Sequence, residues 1–188
     1  MLRFAISDDM AVRRLSNRGR KLYDVWRIIG RDQYRSSAFR PGLPALDAFP
    51  VSTWSRLTAR RWRDMPPELL AYGDPAGYRP LREVIASYVH ETRGVRCEAD
   101  QVIIVSGAPQ AIALASAVLL DRGDAVWVED PGSPRARGVL TAADAQIIPV
   151  PLDDEGLNVQ AGLLRHPGAR MVYVTPSHQY PLGTQMTT

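Results

Sequence analysis

The sequence predicts an α/β fold: a largely parallel sheet flanked by helices. Three observations lead there. Short runs rich in Val and Ile recur at 102–105 (VIIV), 125–129 (AVWVE), 146–150 (QIIPV) and 171–175 (MVYVT). Segments of helical length separate them. Turn-forming Gly, Pro, Ser and Asp residues follow each run. Strands covered on both faces read as continuous apolar runs, and their alternation with helices gives parallel pairing through crossovers.

The elements follow in chain order. Residues 1–37 are Arg-rich and read as a linker; "VRRLSNRGRKLYDVWRI" has the makings of a short helix, but Gly19 interrupts it. "FRPGLPALDAFP" carries three prolines and reads as an extended segment lying along a surface. Ser52 can cap a helix over 53–63, with Trp54, Leu57, Arg61 and Trp62 on one face. "DMPPELLAYGDPAGYRP" is a loop punctuated by Pro and Gly. A second helix runs from Pro80 to Arg93. Pro80 suits its first turn, Leu81, Val84, Ile85, Tyr88 and Val89 share one stripe, and Gly94 stops it. Further helices are expected at 109–120, 134–143 and near 158–164. Right-handed crossovers would gather the strand C-termini along one edge, where ligands bind in such sheets. "SGAPQ", "EDPGSP" and "TPSHQYPLG" end there.

Composition narrows the function. A chain of 188 residues, 45% hydrophobic, is long enough for one soluble globular domain. No run approaches the ~18 apolar residues of a membrane helix. Asp8, Asp9 and the lack of an apolar core argue against a signal peptide. Cys97 is the only cysteine, so no internal disulfide forms and a reducing, cytoplasmic setting is expected. Residues 1–63 hold 14 basic against 5 acidic side chains, and residues 64–188 hold 9 against 15. The basic front could attract nucleic acid, or it is a linker and a solvated helix face. His90, His166 and His178 read as surface or loop residues and "DDE" at 153–155 as a polar turn, so no metal is inferred. Lys21 is the sole lysine, and any chemistry that needs a lysine must use it.

The junction at 105–110 leaves a strand through Ser106 and Gly107 and enters a helix near Pro109. The N–H groups of a helix start favour an anion, ideally a phosphate. The spacing is neither G-x-G-x-x-G nor G-x-x-x-x-G-K-[ST], so dinucleotide and P-loop readings lose their main support.

"YGDPAGYRPLREVIASYV", "VIIVSGAPQAIALASAVLLDRGDAVWVEDPGSP" and "VYVTPSHQYPLGTQM" occur in that order. Together they closely resemble the aminotransferase-like domain of the MocR group of GntR-type transcription regulators. Those regulators join a winged helix-turn-helix to a fold-type I pyridoxal-phosphate domain through a linker. The resemblance covers about residues 38–188, and "LSNRGRKL" looks like the end of the family linker. It implies that Gly107, Ala108 and Pro109 form the phosphate-cradle turn. Ser133 falls where the family usually stacks a tyrosine on the cofactor ring. Tyr180 falls at the aminotransferase Asn-Pro-x-Gly position near the cofactor's phenolic oxygen. Tyr72 matches a residue that usually reaches a partner subunit's phosphate.

The expectation is therefore a partial aminotransferase-like domain, residues 38–188, behind an Arg-rich linker, residues 1–37. The aspartate and the Schiff-base lysine of the fold are expected downstream of this sequence, and the winged helix upstream. Pyridoxal 5'-phosphate is the cofactor of the parent family; here Pro109 lacks an N–H and Ser133 lacks a ring, so binding is expected weak or absent. The family implies a homodimer, DNA contact only through the winged-helix domain, and no membrane. The chain is not expected to be catalytic on its own. The rival readings are a truncated class I/II aminotransferase and a stand-alone small α/β binding module.

Overall fold

The computed structural model describes residues 15–30 and 44–186. The described residues divide into two compact units, 44–106 and 107–186 together with 15–30. The first is helical: α2 (Val51–Arg63), α3 (Arg79–Arg93) and short 3-10 turns. The second holds the sheet. It comprises α1 (Asn17–Gly30), α4 (Ala108–Leu119), β1 (Ala125–Asp130), α5 (Pro134–Ala142), β2 (Gln146–Asp153), β3 (Gly156–Leu157), α6 (Val159–Arg165) and β4 (Met171–Tyr173).

The strand order is β3-β2-β1-β4, with β1 parallel to both β2 and β4 and β2 antiparallel to β3. Central β1 explains its own sequence. Alternate side chains of a strand point to opposite faces. Val126 and Val128 pack with Leu140 of α5 and Ile112 of α4 on one side. Trp127 packs with Val150, Leu157 and Ala161 on the other. Both faces are covered, so the run from Ala125 to Val128 is apolar without interruption.

The helices at 51–63, 79–93, 108–119, 134–142 and 159–165 match the expected segments to within two residues. Four expectations are corrected. The run 102–105 joins no strand ladder among the described residues. Its backbone is extended at Val102, but the Ile104 N–H bonds to the loop carbonyl of Ala76 at 2.8 Å. β-branched residues favour extended backbone, but a strand also needs a neighbour to pair with. Gly77 permits this approach: at φ 103° a Cβ would lie 2.5 Å from Ile104 Cγ1. Second, α2 begins at Val51 with Pro50 at its cap, so Ser52 lies inside the first turn and caps nothing. Third, α1 crosses part of the segment read as linker and packs against α5. Gly19 is accommodated in its first turn, where Ser16 Oγ accepts its N–H at 3.0 Å. The rest of the Arg-rich segment, 1–14 and 31–37, and the start of the Pro-rich segment, 39–43, lie outside the described residues. Fourth, the apolar stripe of α3 is only partly its buried face, with Ile85 and Val89 half-buried. Leu81, Val84 and Tyr88 are exposed, whereas Arg82 and Ala86 are buried. Arg82 is covered because its guanidinium bonds Asp74 and the Ala99 carbonyl, tying the "YGDPAG" loop to α3.

Candidate functional site at the C-terminal edge of the sheet

β1, β2 and β4 run parallel, so their C-termini share one edge. From β1 the chain moves outward to β2, then returns to place β4 on the other side of β1. That reversal makes the gap between the ends of β1 and β4 a topological switch point, where open α/β sheets bind ligands. "EDPGSP" leaves β1 and "TPSHQYPLG" leaves β4, so both loops flank this gap. α4 packs through Ile112 on the same core and enters β1 after a short turn. Twelve helical residues span ~18 Å, about the length of six strand residues, so the start of α4 returns to the same edge.

The centre of the gap is polar and buried. Glu129 is 3% exposed, as is Gln179. The Glu129 carboxylate accepts from Thr175 N–H at 2.8 Å, Thr175 Oγ1–H at 2.6 Å and Gln179 Nε2 at 3.2 Å. Gln179 Nε2 also donates to the carbonyls of Pro131 at 2.9 Å and Tyr180 at 2.7 Å. One amide thus joins the loop after β1 to the loop after β4. Glu129, Thr175 and Gln179 were not singled out in the sequence. The signal available was a carboxylate one residue before the end of a strand buried on both faces.

The residues that were singled out fall as follows. Gly107 is the residue before α4, with φ 150° and ψ 174°, and Ala108 and Pro109 form the first turn. The Gly107 carbonyl accepts from Gln110 and Ala111 N–H at 3.0 and 3.2 Å. Ala108 N–H is left as a helix-start donor, and Pro109 has none. Ser133 caps α5, its hydroxyl accepting from Ala136 N–H at 3.3 Å. Tyr180 is exposed and follows Gln179 directly. Tyr72 belongs to the helical unit and is fully exposed there.

Two further groups define the edge chemically. Tyr173, at the end of β4, has its phenol pushed above the usual range, first by burial and then by the Glu129 charge; a hydrogen bond with Ser133 opposes this. Lys21 pairs with Asp144 at 2.7 Å, and that contact holds the Asp144 carboxyl below the ordinary carboxylate range. Asp144 lies beside the entry to β2, and its carbonyl accepts from Gly123, just before β1. Lys21 is therefore at the N-terminal edge, ~20 Å of strand away from the switch point. His166, expected at the surface, is half-buried; its carbonyl accepts from Trp127 Nε1 at 2.9 Å.

Known proteins are similar to this chain. The aminotransferase class I and II family profile matches residues 46–183. This chain belongs to that family. It is 39% identical over 149 residues to the probable rhizopine catabolism regulatory protein MocR of Rhizobium meliloti, covering 79% of this chain and 30% of that one. The pyridoxine biosynthesis transcriptional regulator PdxR of Corynebacterium glutamicum is 32% identical over 143 residues, covering 76% and 30%. Among solved structures, LysN, the α-aminoadipate aminotransferase of Thermus thermophilus, superimposes with a TM-score of 0.68 at 32% identity. It covers 79% of this chain and 37% of its own, and was solved with N-(5'-phosphopyridoxyl)-L-leucine. The chain spans about a third of the length of these relatives.

Membership of this family implies pyridoxal phosphate, and the residues fit only one end of it. An added Cβ at Gly107 would meet nothing nearer than Pro109 Cδ at 3.8 Å, so the turn before α4 is open to an approaching phosphate. The ring end does not fit. Ser133 supplies no aromatic face, and its hydroxyl is engaged by Ala136 and Tyr173.

Proposed function

We propose that these residues form the N-terminal part of an aminotransferase-like effector domain of a MocR-type regulator. The edge beside β1 and β4 takes a phosphorylated pyridine ligand by its phosphate, and Lys21 makes no covalent bond to it. The supporting observation is the separation of functions across the sheet. The turn at Gly107, a phosphate cradle by resemblance, is at the C-terminal edge, while Lys21 is tied to Asp144 at the other. The parent protein would act in the cytoplasm as a homodimer and reach DNA through a separate winged-helix domain. Tyr72, exposed on the helical unit, would serve a partner's phosphate. The likeness to LysN favours a second reading, a portion of an amino-acid aminotransferase. A winged-helix coding segment beside this reading frame separates the two.

The binding test is a titration with pyridoxal phosphate, followed by borohydride reduction and peptide mass mapping. The expected result is weak binding that inorganic phosphate displaces, with no stoichiometric adduct. An adduct at Lys21 with a defined visible band would overturn the proposal, as would binding that phosphate leaves untouched.

A further inference from the structure

Three donors converge on Glu129: Thr175 N–H, Thr175 Oγ1–H and Gln179 Nε2–H. A carboxylate only accepts, so it satisfies all three. The isosteric amide would offer one acceptor oxygen and turn its own NH2 against the remaining donors. Gln179 passes the constraint on. Its Nε2 reaches the Pro131 and Tyr180 carbonyls, and its Oε1 accepts from Leu182 N–H at 3.1 Å. Across 175–183, Gln179 is the sole buried residue; Tyr180 and Leu182 are exposed. Apolar burial therefore does little to hold this loop, and β4 has already ended at Tyr173. Backbone bonds from Gly183 to Gln179 and from Met186 to Pro176 shape the loop, and what ties it to β1 is the polar chain that starts at the Glu129 carboxylate.

We propose that Glu129 is a positioning residue that locks loop 175–183 onto the end of β1, and so sets Tyr180 at the switch-point edge. The ligand arm of its test rests on the reading that this edge takes a phosphorylated pyridine; the exchange arm does not.

Amide hydrogen exchange on the full chain tests it, with Glu129→Gln, Thr175→Val and Thr175→Ser. In Glu129→Gln the Thr175 and Leu182 amides should exchange about tenfold faster or more, as expected for loss of hydrogen bonds to a charge. The β1 amide of Val126 and the α6 amide of Ala161 should keep their rates. Thr175→Val, which removes one donor and leaves the Glu129–Gln179 bond, should speed Leu182 less than Glu129→Gln does, and Thr175→Ser, which keeps the hydroxyl, should behave as the parent does. In the ligand arm, Glu129→Gln should leave the affinity for inorganic phosphate, and the phosphate-driven affinity for pyridoxal phosphate, unchanged. Unchanged Leu182 exchange in a folded Glu129→Gln protein overturns the proposal. Should that variant fail to fold, Glu129→Asp decides, because the shorter carboxylate cannot reach Thr175 and Gln179 together, and an unchanged Leu182 rate there overturns the proposal equally. If the parent chain binds no pyridoxal phosphate, the functional reading fails while the exchange rates still decide the role of Glu129.

Discussion

Replacing Gly107 by Ala separates two costs that usually come together. The added Cβ has room, since its nearest neighbour is Pro109 Cδ at 3.8 Å, an ordinary contact. The cost is conformational. At φ 150° and ψ 174° the residue sits in a region that side chains avoid, worth about 1–3 kcal/mol of strain. The Gly107 carbonyl is held by two helix-start N–H groups, so relief has to come from rotation about φ. That rotation swings the Gly107 N–H, one of the amides at the cradle. Two measurements follow. Guanidinium unfolding should show a loss of about 1–3 kcal/mol with an unchanged slope. Phosphate titration followed by phosphorus NMR should show weaker binding. A variant with the parent's stability and the parent's phosphate affinity would refute both the strain and the cradle.

Two other perturbations test the packing and the electrostatics of the sheet unit. In Gly162→Ala the new Cβ would lie 2.7–2.9 Å from Trp127 ring atoms, and the ring is pinned by its Nε1 bond to His166. Overpacking of about 1–3 kcal/mol outweighs the ~1 kcal/mol helix gain of Ala over Gly, so chemical denaturation should show a net loss of up to ~2 kcal/mol; a more stable variant would contradict this. Because the Tyr173 phenol is raised in the fold, its contribution to stability is fully present below the ordinary phenol pKa and is lost as pH rises through the folded value. Phenolate absorbance should show one tyrosine titrating late, and Glu129→Gln should move it back towards the others by removing a nearby charge.

The sequence by itself determined the fold class, most helix positions and three of the four strands it predicted. Those features are local. Val and Ile runs covered on both faces read as strands, and helical stripes and Pro or Gly punctuation mark the ends, whatever the elements later touch. It also determined the family, because long motifs in a fixed order are specific even where each motif is weak. Tertiary structure alone decided what depends on partners. VIIV at 102–105 has a strand's composition, but Ile104 bonds to a loop. Leu81, Val84 and Tyr88 of the apolar stripe of α3 lie exposed, while Arg82 is buried with bonds to Asp74 and Ala99. Lys21 could be counted in the sequence, but only the packing of α1 on α5 places it at the edge away from the cradle. Glu129 and Gln179 lie fifty positions apart with no periodic signal linking them. They meet because β4 returns to the far side of β1, and a buried carboxylate is tolerated only where the chain's return brings donors to it.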